Sequence, residues 1–427
     1  MFGPPTDGPP TVPSGVFVLL AAAAVGWLVR GRFGGALVLV LIACLIVASF
    51  PQLSADLVGD RGLAVGVLRG AEVVCLGVAV HAAARRVHRP TTDPLKPDIN
   101  GKAIQVVAVL GLCAIGAELL AAYDDSTGDA AALAFALVFF AGLYGAPALL
   151  ARELVRRRGW GWPSLLLLFA ALGTAQACLI DQSMFAVDYQ GYEGWKFFRE
   201  QTLIPALGIS ASNAYSFVFG HVIYSFAAPI ALAEAWAPQR AREPWLSPTG
   251  IVAAALAYLG TAAVILADPE SHTGSPMQLA VSSGVVVAVV AAALLVGRAR
   301  ATATKAGGPP VWAVLLITLV VALAPDLADT TSWRGLAVGV VASGALGVAI
   351  LVAARMWGWS PRHSAAAGLG FLLARGLMAF TYFPLIGNVE PFAKYAHNTA
   401  MLIVVLIAGA VALRQGPGVL AFQAHTG

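Results

Sequence analysis

Charge is what this chain has least of. Asp, Glu, Lys and Arg make up 11% of its 427 residues, where soluble domains carry roughly a quarter. So little charge cannot clothe a water-facing surface, which excludes an ordinary soluble protein. Cysteine is also scarce: Cys44, Cys75, Cys113 and Cys178 each lie alone in an apolar segment, with no CxxC spacing. They read as small buried hydrophobes rather than a redox pair or metal site. Lysine is rare beside arginine, 5 to 21, as a GC-rich bacterial coding bias would produce. HExxH, Walker A, GxSxG and a Gly-rich dinucleotide fingerprint are all missing, so no cofactor is implied. No basic patch is interleaved with aromatics, which excludes nucleic acid as a partner.

What the chain does have is hydrocarbon: 59% of its residues are hydrophobic. A membrane span needs about 20 mostly apolar residues. Thirteen segments qualify: 15–29, 34–50, 62–83, 103–122, 130–150, 163–183, 214–236, 249–267, 276–297, 310–324, 335–354, 364–384 and 397–413. The first and tenth are short, and 203–236 is long enough to hide a re-entrant piece, so twelve or fourteen spans remain open. The fold expected is an all-α polytopic helix bundle forming one integral membrane domain over 1–427.

Basic residues then set the orientation. With the N-terminus outside, the inner connections hold the basic residues of 30–32, 85–102, 152–158, 240–242, 298–305 and 355–362, and the tail holds Arg414. The outer connections hold only Arg61, Lys196, Arg199, Arg334 and Lys394. This alternation fits the positive-inside rule and predicts a cytoplasmic C-terminus in a bacterial inner membrane. The first 15 residues contain no Lys or Arg. A cleaved signal peptide needs a positive start, so Val16–Val29 reads as a retained span. The longest inner connection, 84–102, is basic and Pro-rich. The outer connection 184–202 is aromatic and reads as interfacial anchors or as a lid.

One stretch echoes another. PQLSADLVGDRGLAVGV (51–67) and PDLADTTSWRGLAVGV (325–340) share RGLAVGV at the start of a span. An internal repeat relating 51–150 to 325–414 would explain this. So would a recurring small-xxx-small packing stripe.

An ionisable group inside a span costs about 3 kcal/mol, so it is paired, wet or functional. The polar residues that fall within or at the mouths of spans are Arg69, Glu72, Glu118, Gln176, Asp181, His221, Arg375 and His397. Counted from the helix ends, they concentrate in the outer half of the bilayer. The inner half is almost free of charge apart from Glu234. This predicts an outward-opening polar pocket. Arg69–Glu72 also reads as a self-neutralising pair, and Arg375 needs a carboxylate, for which Glu118 is best placed. Asp181 and His397 lie close enough to the interface to be simply hydrated, and Pro229 predicts a kink in its span.

The string LYGAPALLARELVRRRGWGWPSLLLLFAALGTAQACLIDQSMF (143–185) looks like a group of uncharacterised actinobacterial multi-pass membrane proteins, a resemblance that supplies no activity. Phe217 and His221 match the Phe-x-x-x-His motif of the CPBP (Abi) intramembrane proteases, which the chain resembles there. Where that family carries Glu-Glu-x-x-x-Arg, this chain reads Gln176-Ala177-Cys178-Leu179-Ile180-Asp181. The glutamates that would activate water are missing, and so is the arginine. The resemblance therefore implies a catalytically altered or inactive member and carries over no catalytic residue. The partners expected are membrane lipids and a small solute or lipid ligand; the oligomeric state is left open. A transporter-like or ligand-binding protein, a degenerate intramembrane enzyme and a structural or accessory membrane protein are the three readings to separate.

Overall fold

The computed structural model describes residues 99–414 except 125, 193, 298–307, 329–330 and 388. The first three predicted spans lie outside the described residues. So do Arg69, Glu72, the first copy of the echo and nearly all of 84–102.

Each of the ten remaining predicted segments is a helix. These are α1 (Ile99–Ala114, continued by a π-helical turn Ile115–Leu119), α2 (Ala130–Arg157), α3 (Trp162–Ile180), α5 (Ala211–Trp236), α6 (Pro248–Leu266), α7 (Pro276–Gly297), α8 (Val311–Leu327), α9 (Trp333–Met356), α10 (Pro361–Met378) and α11 (Pro391–Leu413). Between α3 and α5 lie a short helix α4 (Trp195–Gln201) and a two-stranded antiparallel hairpin, β1 (Leu203–Ile204) with β2 (Ile209–Ser210). Eight of the described helices, all except α4, α8 and α10, are long and apolar enough to cross a membrane. This is the signature of a multi-pass membrane protein.

Helix starts follow local chemistry. Asp129 accepts hydrogen bonds from the Ala131 and Ala132 amides, while Ser247 and Ser332 accept from Gly250 and Gly335. These caps satisfy amides that have no partner in the first turn.

The described helices form an inner group and an outer group. Helices α1, α2, α3, α5 and α10 pack into the core, whereas α6, α7 and α9 bury only a small share of their apolar windows. Leu256, Leu259, Val287 and Val341 on the outer helices are exposed, as lipid-facing positions should be. Helix α10 is clamped between α5, α8 and α11. Its small residues permit this. A methyl on Gly368 would come within 2.9 Å of the Ala228 Cα, and one on Gly370 within 2.9 Å of the backbone of α8. Close backbone approach of this kind drives helix association where lipid removes the hydrophobic incentive.

Two helix ends correct the sequence reading. Helix α2 runs on to Arg157, so Arg152, Arg156 and Arg157 are helical residues rather than loop residues. Helix α11 begins at Pro391, so Lys394 and His397 are buried inside it. The sequence alone places Lys394 in an outer connection and His397 at the opening of a span.

Candidate functional site

Helices α1, α2, α3 and α5 each contain π-helical turns: Ile115–Leu119, Ala141–Gly145, Gln176–Ile180, and Tyr215–Phe219 with His221–Ala227. Four of the five widened turns are closed by an amide reaching back five residues. Leu120 bonds Ile115, Ala146 bonds Ala141, Asp181 bonds Gln176 and Ala228 bonds Ile223. Such turns re-aim side chains and concentrate at functional sites. Prolines explain two of them. Pro147 and Pro229 have no amide to give the carbonyl four residues earlier, and a wide turn lies immediately before each. The kink expected at Pro229 is thus a π-helical turn.

The π turns of α1, α2 and α5 meet, and their side chains form one polar cluster. The Glu118 carboxylate is buried and accepts two tyrosine hydroxyls, Tyr144 from α2 at 2.6 Å and Tyr123 from the loop after α1. Burial and the Glu118 charge push the Tyr123 phenol well above its usual range, so it remains a donor. His221 stacks on Tyr144 with ring centroids 5.3 Å apart, and its Nδ1 lies 3.1 Å from the Ser225 hydroxyl. A methyl on Gly116 would meet the Tyr224 carbonyl at 2.3 Å, so only glycine lets α1 sit this close to α5.

Arg375 enters from α10. It donates to the Ala117 carbonyl at 2.7 Å, and its guanidinium lies 4.7 Å from the centre of the Tyr224 ring. The expected Glu118–Arg375 ion pair does not form within 4.0 Å; the arginine bonds the carbonyl next door. Its Nε is buried without a hydrogen-bond partner. His221, Tyr224 and Arg375 are each only half-buried although helices pack around them.

His397 and its neighbours have a different task. The π turn and the end of α1 leave carbonyls without helical partners. Arg375, His397 and Tyr382 donate to those of Ala117, Leu119 and Ala121. The other ring nitrogen of His397 accepts from the Gly128 amide at 3.3 Å, which fixes a neutral tautomer. Lys394 and Asn398 likewise bond the Ala379 carbonyl at the end of α10. His397 is therefore a satisfied capping residue rather than a pocket group.

Gln176 is buried in the π turn of α3. Asp181, just past that helix, accepts from the Ser183 amide and hydroxyl, each at 2.8 Å. The aromatic connection covers this end. Trp195 is buried, stacks on Tyr189 at 4.7 Å and on Phe217 at 5.9 Å, and donates to the Ala186 carbonyl. Phe197 is exposed, so only part of the segment suits an anchoring role.

The basic residues at the end of α2, read from the sequence as part of an inner connection, form a buried ion cluster with Glu234. Arg152 Nε and Arg156 Nε lie 2.9 and 2.8 Å from Glu234 Oε1, and Arg156 Nη2 lies 2.9 Å from Oε2. Arg152 also bonds the Glu243 and Ala241 carbonyls, and its guanidinium carbon lies over Trp245, 3.2 Å from its ring centre. Glu153 accepts from the Trp245 and Leu246 amides.

The sequence reading missed Tyr123, Tyr144, Tyr224 and Ser225. The available signal was the pair Gly145-Ala146-Pro147 and Ala227-Ala228-Pro229, a proline two residues past a small residue inside an apolar span. Among the described residues no group of His, Cys, Asp and Glu is arranged to hold a metal ion. Compared with known proteins, the chain matches no family model, no curated protein and no solved structure.

Proposed function

We propose that this is a transporter-like or ligand-binding multi-pass protein of a bacterial cytoplasmic membrane. Its ligand is a small solute or lipid, and its site is the cluster of Glu118, Tyr144, His221, Tyr224 and Arg375. The observation that supports this reading is the convergence of π turns on a polar cluster in which Glu118 and Tyr144 are buried but His221, Tyr224 and Arg375 are only half-buried inside the helix packing. A purely structural cluster would satisfy and cover its members, as His397 and the Arg152–Glu234 cluster do. Here Arg375 keeps an unpartnered Nε and His221 is only half-buried. In this reading the chain has thirteen spans, with the N-terminus outside and the C-terminus cytoplasmic. The pocket opens outward, and the Tyr189–Trp195 segment acts as its lid. The protease-like reading gains nothing from the geometry, because among the described residues His221 bonds Ser225 and makes no hydrogen bond or ion pair with Glu118 or Asp181.

The test is thiol accessibility in a cysteine-free background. His221→Cys should react with a membrane-impermeant thiol reagent added from outside. Leu165→Cys, in the fully buried core, should stay inert. Equal inertness of the two would remove the pocket. Ligands found by a thermal-shift screen should stabilise the wild type and not Glu118→Gln or His221→Ala.

A further inference from the structure

A cavity lies away from the polar cluster. It is an apolar crevice of about 290 Å³ between α2, α3, α6 and α7, lined by Ala151, Leu154, Ala171, Ala175, Tyr258 and Val290 among others. That volume lies at the lower end of the range for ligand cavities. Almost no polar surface faces it, so a hydrogen-bonding solute would lose its water and gain no partner. A hydrocarbon chain has nothing to lose.

One end of the crevice carries charge. On α2 the lining positions Pro147, Ala151 and Leu154 follow a helical stripe whose next position, four residues on, is Arg158, the residue just past the end of the helix. Arg157 is committed to Glu153 and to the Leu246 carbonyl, and Arg152 and Arg156 to Glu234. Arg158 is exposed. Its only polar contact among the described residues is with the Trp160 ring, 5.7 Å away. Trp160 in turn closes the last turn of α7, where a methyl on Gly297 would meet its ring at 2.3 Å. Along the C-terminal end of α2 the apolar slot is followed by Arg158, which has no ion pair among the described residues, and by Trp160.

We propose that this crevice is a binding site for an anionic phospholipid. One acyl chain lies in the slot, and the headgroup phosphate pairs with Arg158.

The experiment uses the purified, delipidated full chain in a neutral detergent. Phosphatidylglycerol, phosphatidylcholine or inorganic phosphate is added, and lipid retention is read by native mass spectrometry. The wild type should prefer phosphatidylglycerol over phosphatidylcholine. Arg158→Gln should lower that preference about fivefold, the weight of one basic residue at an anionic surface, and still retain some lipid. Ala175→Phe, which fills the slot, should lose retention of both lipids; Val290→Phe serves the same purpose if that variant does not elute as a single species. Arg242→Gln, an exposed arginine elsewhere, should behave as wild type. The proposal is overturned if Arg242→Gln loses as much as Arg158→Gln, if slot-filling leaves retention unchanged, or if inorganic phosphate competes as well as the lipid.

Discussion

Glu234 shows what a single buried carboxylate does in this protein. It receives three charge-assisted hydrogen bonds from Arg152 and Arg156, and all three residues are nearly inaccessible. Removing one partner of a buried pair leaves uncompensated charge, which costs about 3–5 kcal/mol. Glu234→Ala should therefore strip most of the stability of the folded chain, measured by thermal unfolding in detergent. Glu234→Gln keeps an acceptor and should fall between that variant and the wild type. A neutral effect of Glu234→Ala would mean that the backbone carbonyls and Trp245 suffice to hold the arginines. The Glu118 cluster differs in kind, because its donors are tyrosines and its cation bonds a carbonyl. Sequence could name Glu118, His221 and Arg375 as misplaced in hydrocarbon. It could not name Tyr144 or Tyr123, since a tyrosine in an apolar span is unremarkable until a carboxylate from another helix reaches it.

Among the elements, α10 is the one that the rest fit around. It carries charge at Arg362 and Arg375 and is rich in Gly and Ala, so its hydropathy is modest. Its burial comes from neighbours that approach its backbone. Gly368→Ala should cost about 1–3 kcal/mol, the range for overpacking, since the methyl would meet the Ala228 backbone on α5. Gly347→Ala on α9, with open space around it, should be tolerated, and the two variants can be compared in one unfolding assay. A Gly368→Ala protein as stable as wild type would show that α5 and α10 can separate without cost. The wide turns belong to this scale too. Their place before Pro147 and Pro229 was readable in outline. The π turns of α1 and α3 have no proline to announce them, and arise where the helix ends adjust to tertiary partners.

For the whole molecule, the thirteen-span reading makes a sidedness prediction that the alternation of basic residues supports. A fluorescent-protein fusion ending after Arg242 should fold on the cytoplasmic side. A periplasmic phosphatase fusion ending after Glu270, one helix later, should be active outside. Both reporters active on the same side would break the topology. Reversal of both would keep the bundle and turn the polar cluster toward the cytoplasm. The sequence puts Arg152, Arg156 and Glu234 together at the inner ends of their helices, and the fold gathers them with Glu153 into one buried cluster instead of leaving the arginines in a water-facing connection.

Composition and apolar run length alone determined that this chain forms apolar helices and where ten of them lie, because hydrocarbon length is a local property and each helix satisfies its own backbone. Tertiary structure alone decided which polar side chains belong together. A span position reports depth, but the direction a side chain faces depends on turns widened by neighbouring packing, and on carbonyls that those turns release. For that reason His397 and Arg375, both polar residues that the sequence places in or at the mouth of a span, part company in the fold. The histidine closes a helix end with both nitrogens used, while the arginine retains a free Nε beside Tyr224.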